Sequence, residues 1–139
     1  MKKVRWMLVE GVDIPEDHYY VTLNNSDFTG LTVGLLGDKH RVILSFGSVE
    51  AATMIEEGNL LFEVLEIEDE SRALLPLYNG HHCYTLYQLE NGYLWQTIQQ
   101  TAGEFLLYKN VKEYCILSEN YVIYVLSRFA PDIRIENVD

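Results

Sequence analysis

A chain of 139 residues, 48 % of them hydrophobic and 12 % aromatic, is long enough to bury one core and too apolar to stay disordered. It therefore reads as a single globular domain over 1–139. Its 21 acids against ten Lys and Arg leave a net charge of −11, which argues against nucleic acid or an anionic membrane as partner and for attraction to a basic surface.

In chain order, Val4–Val9 is a plausible first strand, and 11–17 a loop that Pro15 keeps out of regular pairing. Tyr19–Leu23 is rich in β-formers, and Asn24–Asp27 is a turn cluster. Leu31–Leu36 and Arg41–Phe46 predict two strands joined by Gly37–His40. Ser48 then reads as the N-cap of a helix, with Val49, Ala52 and Ile55 on one face and Gly58 as its stop. Leu60–Leu65 fits helix or strand, and Glu66–Leu75 a second, charged helix ending before Pro76. His82–Leu89 alternates as a strand. After the Asn91-Gly92 turn, the spacing of Leu94, Ile98 and Thr101 favours a helix over 93–101 against a returning strand. Tyr114–Leu117 and Tyr121–Leu126 form a hairpin central to the sheet, and Asp132–Val138 adds an edge strand. The sum predicts an α+β domain: an antiparallel or mixed sheet with two or three helices on one face.

No residue set stands out as catalytic, and no cofactor or metal is expected. His81 and His82 point to opposite faces of a strand, so only His81 and Cys83 could share a site, short of the three donors a metal needs. Phe46-Gly47-Ser48 lacks the Gly-x-Ser-x-Gly spacing of a nucleophile elbow. No glycine run has phosphate-loop spacing, and no acidic run has that of a calcium loop. The basic start, Met1-Lys2-Lys3, precedes an apolar run broken by Arg5 and ended by Glu10, too short for a secretory signal. No stretch is long enough to span a membrane. A cytoplasmic location follows as the expectation, with Cys83 and Cys115 as buried thiols.

Charge is more informative. Between Arg41 and Lys109 the only base is Arg72, against ten acids, so this interval carries most of the net charge. Glu56, Glu57, Glu63, Glu66, Glu68, Asp69, Glu70 and Tyr78 are the candidate protein-binding residues, with acids to meet a basic partner and tyrosine to add apolar contact with a polar tip. A solvated acidic face, and tyrosines used in the core, are the competing accounts.

Gly11-Val12-Asp13-Ile14-Pro15, Phe46–Ala52, and Val111–Tyr114 running into Tyr121–Leu126 give the chain a resemblance to small acidic immunity proteins of Gram-positive polymorphic toxin systems. The resemblance implies one cognate toxin, often a basic nuclease, bound without catalysis. Two other readings remain open. One is a small hydrolase or ligand-binding domain using His40, His81 or His82 with carboxylates. The other is a homo-oligomeric subunit joined at an exposed sheet edge.

Overall fold

The computed structural model describes residues 3–56, 68, 71, 74, 85–102 and 110–138, without the side chains of 100–102. Within them lie β1 (Arg5–Leu8), β2 (Tyr20–Ser26), β3 (Gly30–Leu36), β4 (His40–Gly47), β5 (Ala51–Glu56), β6 (Leu86–Glu90), α1 (Tyr93–Ala102), β7 (Lys112–Leu117), β8 (Tyr121–Ser127) and β9 (Asp132–Asn137). The strands form two antiparallel sheets, one of five in the order β1-β6-β7-β8-β5 and one of four in the order β2-β3-β4-β9.

The α+β expectation is thus corrected: the protein is mostly β, with one short helix among the described residues. The decisive difference is 51–56, expected as helix and found as β5, paired to β8 from Ala51↔Leu126 to Glu56↔Tyr121. Ala52 packs into the core between the sheets, while Ile55 packs on the opposite face. Three residues apart, they share a face in a helix but take opposite faces in a strand. A strand covered on both sides carries apolar residues at both parities, and so imitates helical spacing. Ser48 lies in the bend between β4 and β5 and caps no helix. The second expected helix lies mostly outside the described residues. At its start the Ser71 amide donates to the Glu68 carbonyl at 3.0 Å, closing a 3₁₀-type turn.

Where β5 is partly covered on each face, β7 and β8 are fully buried on both. Every residue from Glu113 to Leu117 and from Val122 to Ser127 is buried. Tyr114, Ile116, Ile123 and Val125 face the four-stranded sheet, against Leu31, Val33, Val42, Leu44 and Phe46. Cys115, Leu117, Val122 and Tyr124 face the other way, with Val4, Trp6, Tyr87, Leu89 and Tyr93, the first residue of α1. The architecture is therefore layered, with the four-stranded sheet, the five-stranded sheet and then α1. Aromatic edges build the α1 layer: Trp6 meets Tyr87 at 5.1 Å and Tyr93 at 6.2 Å, and Tyr93 meets Tyr124 at 5.3 Å.

The ends of the sheets are managed locally. At β1, Ser71 stands in for a further strand: its Oγ accepts from the Trp6 amide at 2.8 Å and donates to the Trp6 carbonyl at 3.4 Å. β9 alternates Asp132, Arg134 and Glu136 on its edge, which discourages pairing with another chain. The turn expected at 24–27 falls later, at 27–29, because Asn24, Asn25 and Ser26 pair with Thr32, Leu31 and Gly30. Gly30 has a φ of +73°, and a Cβ there would lie 2.1 Å from the Gly47 carbonyl carbon, so only glycine fits.

Candidate functional site

Strand direction gathers three loops at one end of the molecule. β1 finishes there at Leu8 and β2 begins there at Tyr20, so loop 9–19 crosses from one sheet to the other. Turn 37–39 joins β3 to β4 at the same end, and 118–120 joins β7 to β8. The Glu119 amide donates to the Tyr19 carbonyl at 2.8 Å, tying the two sheets together. Glu56, the last residue of β5, lies beside this end opposite Tyr121.

Glu10, Asp13, Glu16, Asp38, Glu56 and Glu119 therefore share one end, against Lys39 and Arg41. The first five make no ion pair among the described residues. The opposite end differs. There Arg5 pairs with Glu90 at 3.6 Å and Arg128 with Glu50 at 3.9 Å. The acidic end also exposes apolar side chains. Tyr20 and Leu36 face each other across β2 and β3 at 60 % and 54 % exposure, and Tyr121 is 37 % exposed.

Two histidines are held within this end. Asp17 accepts from the amides of Asp38, Lys39 and His40 at 2.9–3.0 Å, from the His18 amide at 2.8 Å, and lies 3.1 Å from His40 Nδ1. Burial alone would push the Asp17 carboxyl up. The amides of Lys39, His18 and Asp38, with the His40 ring, outweigh it and hold the group well below the usual carboxylate range. An Asp–His pair at this distance resembles part of a hydrolase triad. Here the carboxylate serves turn 37–39, and no hydroxyl or thiol hydrogen-bonds the His40 ring among the described residues. His18 Nδ1 lies 2.6 Å from Glu119 Oε1, and that contact holds the His18 pKa above its ordinary value.

A second site lies at the start of α1. Gly92 gives the first helical hydrogen bond through its carbonyl, to the Gln96 amide at 3.0 Å, but has no side chain to cap the turn. The first turn holds no acid either. Glu113, from β7, the strand that follows α1 among the described residues, fills that place: its Oε1 accepts from the Trp95 amide at 2.7 Å and its Oε2 from the Leu94 amide at 3.2 Å. A Cβ on Gly92 would lie 2.4 Å from the Glu113 carboxyl carbon. Glu113 is 2 % exposed. Desolvation pushes its carboxyl up to about 7, against the lowering by the helix amides. A hollow of about 290 Å³ adjoins it, with Trp95, Gln88, Glu90 and Lys112 in its wall.

Of the candidate binding residues read from the sequence, Glu56 and Glu68 are described. Glu56 is exposed at the acidic end, on the β5 edge of the five-stranded sheet. Glu68 is half-buried against β1, its amide donating to the Val4 carbonyl at 3.0 Å. The two are thus at opposite edges of the five-stranded sheet, Glu68 outside β1 and Glu56 on β5. Glu57, Glu63, Glu66, Asp69, Glu70 and Tyr78 lie outside the described residues, as do His81, His82 and Cys83. Cys115 is a buried free thiol. No cluster of three or more His, Cys, Asp or Glu able to hold a metal ion occurs among the described residues. No described helix is long and apolar enough to cross a membrane.

Reading the sequence missed Glu10, Asp13 and Glu16, which join the other acids only when loop 9–19 is placed. It also missed Asp17, three of whose four amide partners are 21 to 23 residues away. Glu113 had one signal: a helix beginning after Gly92 without a capping side chain needs a cap from elsewhere. No protein-family model, curated protein or solved structure matches the chain.

Proposed function

We propose that the chain is a protein-interaction module, without catalysis of its own, that binds a basic partner protein. The more specific form of the proposal is an immunity protein that neutralises a basic toxin inside the cytoplasm. The observation that carries the reading is one juxtaposition. Carboxylates with no ion-pair partner among the described residues share an end of the molecule with exposed Tyr20, Leu36 and Tyr121. Clustered like charges repel one another, and a basic partner relieves that repulsion while speeding encounter. Exposed tyrosines supply the apolar contact that charge alone does not, since aromatic anchors dominate interface energies. The acids of 57–70 belong to the same proposal as a second source of negative charge.

The test is affinity capture of the tagged chain from its native lysate at low and high salt, read by mass spectrometry. One dominant basic protein, retained at low salt and depleted at high salt, supports the reading and names the partner. A recovered toxin whose activity is abolished by added chain supports the immunity form. Captures that are empty under both conditions contradict both.

A further inference from the structure

Glu113 is a buried acid with no cation at hand among the described residues. Strand alternation turns it to the α1 side of the five-stranded sheet, with Leu89 opposite on β6 and Leu126 opposite on β8. The titratable groups around it are the Cys115 thiol on its own strand, the Tyr124 phenol from β8 and the Tyr93 phenol from α1. Glu90, from β6, stands at the rim of the adjoining hollow and pairs with Arg5 of β1. Lys112, also at that rim, is exposed. No Lys or Arg comes within ion-pair distance of Glu113 among the described residues. Its carboxyl hydrogen-bonds only the first-turn amides of α1 there.

A carboxylate so placed faces a conflict. Ionised, it suits the positive end of the helix but has lost its water. Neutral, it tolerates burial but offers one oxygen fewer as acceptor. The hollow beside it supplies a way out, because a small outward movement of residues 93–95 would let water reach the carboxyl. We propose that Glu113 is a proton-operated latch on the start of α1: neutral, it keeps Tyr93–Trp95 seated on the sheet, and ionised, it shifts that turn toward a hydrated open state.

The position of its titration, near pH 7, would make the latch responsive around neutrality. Opening restores an ordinary carboxyl, so it is favoured as pH rises. The difference between about 7 when seated and 4.5 when hydrated sets the limit at about 300-fold in the opening equilibrium. The open state would expose the half-buried Trp95 further and widen the hollow, changing the surface presented at the start of α1.

Amide hydrogen exchange on the full chain tests this, corrected for the intrinsic pH dependence of exchange. Protection at Leu94 and Trp95 is expected to fall by up to about 70-fold from pH 5 to 8, the part of that limit this window spans, while Ile123 and Val125 stay constant. In Glu113→Gln, that pH dependence should vanish. Protection independent of pH in the native chain, or the same fall in the variant, overturns the latch. Should the variant not fold, the ¹³C carboxyl titration of Glu113 in the native chain decides. A midpoint near 7 sustains the proposal, and one near 4.5 overturns it.

Discussion

Asp17 and Glu113 both have carboxyls bound by backbone amides, yet their energetics run in opposite directions. The Asp17 pKa is depressed in the folded chain. Its contribution is therefore present above the unfolded value of 3.8 and lost as pH falls through the lower folded value. Asp17→Ala leaves three amides of 38–40 without their acceptor, and urea denaturation near neutral pH should show a loss of about 1–3 kcal/mol. The Glu113 pKa is raised, so its contribution is complete below about 4.5 and lost as pH rises through about 7. The limit is on the order of 3 kcal/mol. Stability measured from pH 5 to 8 should decline in the native chain and stay flatter in Glu113→Gln. Gly92→Ala would press its methyl onto the Glu113 carboxyl. A loss of about 1–3 kcal/mol in thermal or urea unfolding is expected, since such overpacking cannot relax without moving the helix start.

β8 gives the clearest test at the level of elements. In a half-exposed strand, neighbouring residues differ sharply in cost when truncated. Here Ile123 faces the four-stranded sheet and Tyr124 the α1 layer, both fully buried. Ile123→Ala and Tyr124→Ala should each cost about 2–5 kcal/mol. Tyr124→Phe should be neutral or slightly stabilising, because the phenol oxygen is buried with no hydrogen-bond partner among the described residues. The strands legible in the sequence were those with plain β signals: β1, β2, the β3–β4 hairpin, β6, the β7–β8 hairpin and the charged edge strand β9. Helix α1 was legible from the spacing of Leu94 and Ile98. β5 was not, because Ala52 packs on one face and Ile55 on the other, which erases the alternation that marks a strand. Ser48 strengthened the error by offering a cap where Gly47, at a φ of +71°, ends β4.

At the scale of the molecule, acidity was legible but its position was not. The sequence interval 42–108 concentrates acids along the chain, whereas the fold gathers a set that shares only Glu56 with it, from loop 9–19, Asp38, Glu56 and Glu119, at one end. Composition reports charge, and only strand direction reports which loops meet. The central claim is that this end meets a basic partner, and one comparison tests it most directly. The native chain is captured from lysate beside two charge-reversed chains, one carrying Lys at 10, 13, 16 and 119, the other carrying Lys at 66, 68, 69 and 70. The first reversal should abolish retention of the basic partner at low salt. Retention that is unchanged in both reversed chains would contradict it.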